Sequence, residues 1–345
     1  MAARIRWGVV GALLIGILLA ISGFRQVKVL TFKPGPMVVQ VPYGGSPDAM
    51  GRAIGIDGRL YGPLTFVTNG QVTVVADTYR QRLVFFRKGH VTSLPMTGQM
   101  TEALAINEQG TLVAADNRSM ALWKIQHGKV SPIVEFKPPK GYTEAIWHVG
   151  LSPKDRLYVE RVRFGHGQFV VRLDEYTLAG QFVRRLAQAK GGHSGRLIPL
   201  SGSMINDPVR DFTLAPDGHV YIEPAEISGS ERIIRIYQSN GAYLGQVVVH
   251  SPEPIHRSEL LGISRQGWIY LAVNFDVPHR ARVLVVNGQG QTIADLKVPT
   301  VSVYAANYGR VLPSGVLYLD ESTSAQYQIR SFAPVTKMVW HWVGI

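Results

Sequence analysis

Asp77, Asp116, Glu160, Glu223 and Asp320 each end an apolar stretch and precede a polar one, at the same place in a repeating pattern. Carboxylates converging from equivalent positions could hold a hard cation such as Ca²⁺ through oxygen. The competing reading is local and is preferred: an acidic side chain at such a point caps its own loop by accepting backbone N–H bonds. A second set comprises Glu102, Glu144 with His148, Asp211, Glu259 and Tyr304, leading into the segments that would run innermost. Carboxylates around one histidine could bind a cation or work as acid and base. The same residues would also suit a solvated rim, since no ligand-spacing signature accompanies them. A third set is basic. Arg161, Arg163, Lys190 and Arg196, with Arg280 and Arg282, would form an anion-binding patch on long loops.

Other chemistry is missing from the chain. There is no H-E-x-x-H, EF-hand loop, P-loop or G-x-S-x-G. Gly192-His193-Ser194-Gly195 has the wrong spacing for a nucleophile turn, and His166 is a lone loop histidine. With Cys 0, disulfides and thiolate chemistry are excluded.

The elements that must position these residues form a repeat. Units begin near Thr65, Leu104, Val149, Phe212, Leu261 and Gly309. Each reads as about four short strands separated by Gly, Asn, Asp or Pro turns. Gly70, Gly110, Gly218, Gly267 and Gly315 mark one turn, with Asp155 standing in for the missing glycine. Their spacing of about 40 to 60 residues is that of propeller blades. Near-continuous apolar runs such as Val72–Ala76 and Arg282–Val286 suit strands packed on both faces.

The stretch Asp77-Thr78-Tyr79-Arg80-Gln81-Arg82-Leu83-Val84-Phe85 resembles the NHL-type propeller repeat: an apolar strand, Asp, a short polar loop, Arg and another apolar strand. Later units keep the Leu/Val-Tyr-Val core, as in Leu157-Tyr158-Val159 and Leu317-Tyr318-Leu319. The resemblance implies a propeller. It leaves activity open, because that superfamily spans protein-binding and RNA-binding modules and metal-dependent lactonases.

Alternating strand direction puts the turns after first and third strands on one face, and the loops after second and fourth strands on the other. The first set is short (Asn69-Gly70, Asp217-Gly218); the second is long, as in 187–210 and 274–280. Function is expected on the long-loop face.

Trp7 to Phe24 carries no charge, with Arg4 and Arg6 before it and Arg25, Lys28 and Lys33 after it. Its length suits a membrane-spanning helix, oriented N-in by default, or a signal peptide cut near Gly23. Both place the remainder outside the cytoplasm. The net charge of +12 favours anionic partners or simple solubility.

The expected fold class is all-β, a six-bladed β-propeller preceded by one N-terminal transmembrane or signal-anchor helix. The expected organisation is a tail at 1–6, the span at 7–24, a stalk and possible ring-closing strand at 25–61, and the propeller at 62–345. The expected function is a membrane-tethered, non-enzymatic module that binds an envelope protein or anionic polymer and needs no cofactor. The alternative is a metal-dependent extracytoplasmic hydrolase of lactonase or esterase type, with Ca²⁺ on the axial carboxylates. Export argues against nucleic acid as a partner.

Overall fold

The computed structural model describes residues 24–96, 101–191, 197–199, 205, 209–224 and 229–342. Six antiparallel sheets make six blades, and a separate two-stranded hairpin pairs Ala53–Ile54 with Leu60–Tyr61. Blade one runs from Thr65 to Pro95, blade two from Thr101 to Glu135, and blade three from Thr143 to Pro199. Blade four spans Val209 to His250 and blade five Ser258 to Lys297. Blade six takes Gly309–Val311, Leu317–Asp320 and Gln326–Trp342, and its outermost strand is the N-terminal Phe24–Pro42.

Second strands such as Val72–Asp77, Leu112–Asp116 and Ile269–Val273 are buried along their whole length. Each sheet packs on a neighbouring sheet on both faces, so apolar side chains are needed on both. At roughly 25 cal/mol per Å² of apolar surface, this burial is the main stabilising force. The core is accordingly a ring of interfaces between blades, not one central cluster. The turn after each first strand needs a left-handed residue. Gly70, Gly110, Gly218, Gly267 and Gly315 have φ between 75° and 90°, and Asp155 sits at 56°. Aspartate is one of the few residues with a side chain that tolerates this conformation.

Phe24–Pro42 pairs with Gln326–Trp342 from Phe24↔Trp342 to Pro42↔Gln326 and closes the ring. Closure removes a free sheet edge. The two strands outrun their blade. Leu317, just past the short turn, pairs with Phe332. Residues 24–33 and 333–342 therefore continue past the short-turn end as a two-stranded ribbon. Leu30 and Phe32 anchor it against blade five, with the Phe32 ring 6.1 Å from that of Tyr270.

The expected membrane span at 7–24 lies outside the described residues, apart from Phe24, which opens the ring-closing strand. No helix among the described residues is long and apolar enough to cross a membrane.

Candidate functional site

The innermost strands surround an axial cavity of about 670 Å³. Val67, Leu104, Ile106, Val149, Leu151 and Phe212 give it apolar walls. His148, Asp211, Glu259, Asn307 and Arg310 form a polar floor. The mouth is lined by Gln71, Glu108, Gln109, Pro216, Arg265 and Ser314. These residues sit in the turns after first strands, so the cavity opens on the short-turn face, opposite the face where long loops gather. Glu108 Oε1 and Arg265 Nη2 meet at 3.0 Å across this mouth, joining the opposed blades two and five. Both side chains are largely exposed, so the pair adds little stability.

At the floor, His148 faces Glu160 directly across the sheet. Its Nδ1 donates to Glu160 Oε2 at 2.6 Å, and Asp211 Oδ1 lies 3.9 Å from the same nitrogen. Burial alone would pull the imidazole down, but Glu160, Asp211 and Glu259 outweigh it and hold His148 at about 9. The ring is an imidazolium at neutral pH. Its Nε2 has no hydrogen-bond partner among the described residues, and His148 lines the cavity. Burial pushes the Glu160 carboxyl up, opposed by His148.

Asp211 and Glu259 fasten each blade to the next. Asp211 Oδ2 accepts from Leu260 N–H at 2.7 Å, and Oδ1 from Phe212 N–H at 2.8 Å. Glu259 Oε2 accepts from Tyr308 N–H at 2.6 Å, while Oε1 lies 3.2 Å from Arg310 Nη1. Burial pushes Glu259 up, and Arg310 opposes this. Thr65 donates to Asn307 Oδ1 at 2.5 Å, tying blade one to the chain entering blade six. Tyr304 stands apart from the floor, with its ring 5.0 Å from that of Tyr61 and Arg257 over its face. Glu102 lies in the first strand of blade two, and its side chain is outside the described residues.

The five repeated carboxylates do not converge as one ring. Asp116 and Asp320 cap their own loops, accepting from Arg118 N–H and Ser322 N–H. Asp77 accepts from Gly51 N–H and from Arg82. In blade five, Asn274 holds the corresponding loop through His256 N–H and Pro254 O. Glu160 and Glu223, one methylene longer, reach further: Glu160 to His148, and Glu223 to Ser258 and Arg232. Burial raises Asp320 to about 7, where it titrates near neutrality.

Blade three holds the basic set. Its second, third and fourth strands each have 10 residues, against 5 or 6 in blade five. The extra length overhangs the long-loop face. Arg161 is buried, bound to Glu144 and Asp174, and stacked over Phe136 at 4.0 Å. Arg163 Nη2 lies 3.6 Å from Glu144 Oε2. Lys190 is half-buried on the same face, and Arg196 lies outside the described residues. Arg280 and Arg282 belong elsewhere, in blade five, beside Glu253 of the segment that leads into it. Sequence reasoning missed Asn307, Arg310 and Arg172. Arg172 stands directly opposite Arg161, so strand alternation was the available signal.

A Ca²⁺ ion needs six to eight oxygens. The axial carboxylates do not fit one: Glu259, Asp211 and Glu144 already accept from N–H groups or arginines, whose charge would repel a divalent cation. No cluster of three or more His, Asp or Glu suited to a metal occurs among the described residues.

No family model matches the sequence, and no curated protein matches it. Among solved structures, virginiamycin B lyase from Staphylococcus aureus is 11% identical, with a TM-score of 0.48 over 89% of this chain and 100% of that one. A gluconolactonase from Xanthomonas campestris is 13% identical, with a TM-score of 0.47 over 86% and 99%. Regucalcin, a calcium-binding protein from Agrobacterium tumefaciens, is 14% identical, with a TM-score of 0.45 over 87% and 92%. At these identities nothing about activity passes to this chain.

Proposed function

We propose that this chain is an extracytoplasmic ligand-binding propeller whose axial channel takes a small, uncharged amphiphile. The observation that carries the reading is the 670 Å³ cavity with apolar walls and a polar floor that includes His148. Such concave, mostly apolar sites with a few convergent polar groups are the usual form of small-molecule sites. Charge at the floor selects the ligand. An anionic head would meet Asp211 and Glu259, and a cationic head would meet the imidazolium and Arg310. A carbonyl or hydroxyl can accept from His148 Nε2–H without either repulsion. The apolar run at 7–24 would tether the propeller to a membrane. Retention of the full chain in the membrane after alkaline carbonate washing is expected; release would remove the tether.

A second reading makes the floor catalytic. With Nδ1 held by Glu160, His148 could donate its Nε2 proton to the leaving oxygen of an ester or lactone as a water molecule adds to the carbonyl carbon and gives up a proton to solvent. That role suits an imidazolium of pKa about 9 better than the role of base.

Calorimetric titration of the full chain with decanolactone and with decanoate separates head charge from body. Saturable binding of the lactone, weaker binding of the acid, and loss in both Ile106→Trp and Leu214→Trp are expected. Equal or tighter binding of decanoate would overturn the charge argument. Production of acid during the titration would favour the catalytic reading.

A further inference from the structure

The overhang of blade three carries more cations than its own carboxylates can match. Cross-strand register puts these residues on one face, in successive rows. Glu144, Arg163, Val170 and Lys190 make the first row, Arg161, Arg172 and Gln188 the second, and Val159, Asp174 and Arg185 the third. Further down, the same face is apolar and packs on blade two through Leu157, Val159 and Tyr176. The first two rows lie beyond Val159, toward the long-loop face.

Four arginines and Lys190 therefore face two carboxylates. Asp174 is bound by Arg161 at 2.7 Å and by Arg185 at 2.9 Å. Glu144 is shared between Arg161 and Arg163. That leaves Arg172 with no carboxylate partner among the described residues, and its buried Nε, like that of Arg163, has no acceptor. Burial and the nearby Arg163 and Arg185 charges push its guanidinium down. A buried polar group left unpaired costs about 1–3 kcal/mol, more when charged, so the fold carries these groups at a loss. Exposed Lys137 and Lys140 on the adjoining loop add positive charge to the same end of the molecule.

We propose that this overhang is a binding site for phosphate groups, with Arg163, Arg172 and Lys190 as its contacts. Guanidinium groups bind phosphate oxygens in pairs, and a dianion would offset most of the surplus charge. The site shares no residue with the floor of the axial channel and stands or falls separately from the small-ligand reading.

The test is calorimetric titration of the full chain with inorganic phosphate and with linear polyphosphate, against chloride at matched ionic strength. Expected is saturable binding that Arg172→Gln weakens at least tenfold, while Arg87→Gln, an equal charge change at an exposed position of blade one, leaves it unchanged. Saturation by inorganic phosphate alone would assign a free ion; tighter binding of polyphosphate would assign a polymer. Thermal unfolding separates binding from folding, because Arg172→Gln removes a like-charge conflict and should leave the ligand-free protein as stable or more so. Two results overturn the proposal: no saturable heat with either phosphate source, or equal weakening by Arg172→Gln and Arg87→Gln.

Discussion

At the floor of the axial channel every carboxylate has its donor: Glu160 has His148, Glu259 has Tyr308 N–H and Arg310, and Asp211 has two backbone N–H groups. On the overhang of blade three the same residue types leave Arg172 over. The two regions lie on opposite faces of one sheet: His148 and Glu160 look toward blade four, Arg161 and Arg172 toward blade two. The difference follows from what surrounds them. The floor is enclosed by four blades, so an unmatched charge there would be costly and is absent among the groups described. The overhang extends past its neighbour, where solvent or a ligand can supply the missing charge. One region pairs its charges as folded, leaving only single atoms such as Glu160 Oε1 without a hydrogen bond; the other is poised for an external anion.

The contrast can be broken by mutation. The largest effect is expected from Glu259→Ala, which strands Arg310 and the Tyr308 N–H in a buried site. Breaking a buried pair by removing one partner costs on the order of 3–5 kcal/mol. Urea unfolding should show that loss, and a change below about 1 kcal/mol would mean that the floor is not a closed network.

A smaller effect should appear with pH. His148 rises from its ordinary 6.5 to about 9 in the folded chain, so the folded state binds its proton more tightly. The resulting stability is fully present below about 6.5 and is lost as pH rises through about 9. Unfolding midpoints between pH 6 and 10 should fall across that window, and Glu160→Gln should flatten the fall. A flat profile in the unmutated protein would contradict the pairing. The smallest effect is that of Arg172→Gln, expected to raise stability by no more than about 1 kcal/mol. A clear loss would show that the overhang, too, is internally balanced.

Six blades were legible because one turn repeats, and Asp155 occupies the left-handed position that glycine holds in the others. The His148–Glu160 pair was within reach: both flank the Ser152–Asp155 turn, and continuing the hairpin register sets them opposite each other. Asp211 and Glu259 were found as residues but not as fasteners. Their partners are backbone N–H groups 49 residues along, in the next blade, and backbone groups leave no sequence signal. The face of entry was also beyond the sequence. Long loops suggested one face, yet the cavity opens on the other, because its shape depends on how the short turns at Glu108, Pro216 and Arg265 meet around the axis.

The most direct test of the channel as a ligand site is the decanolactone titration of the full chain beside its Ile106→Trp variant. The account predicts one saturable site in the unmutated protein, a loss of at least tenfold in the variant, and weaker binding of decanoate. Binding that survives Ile106→Trp and Leu214→Trp unchanged, or that favours the carboxylate, would contradict it.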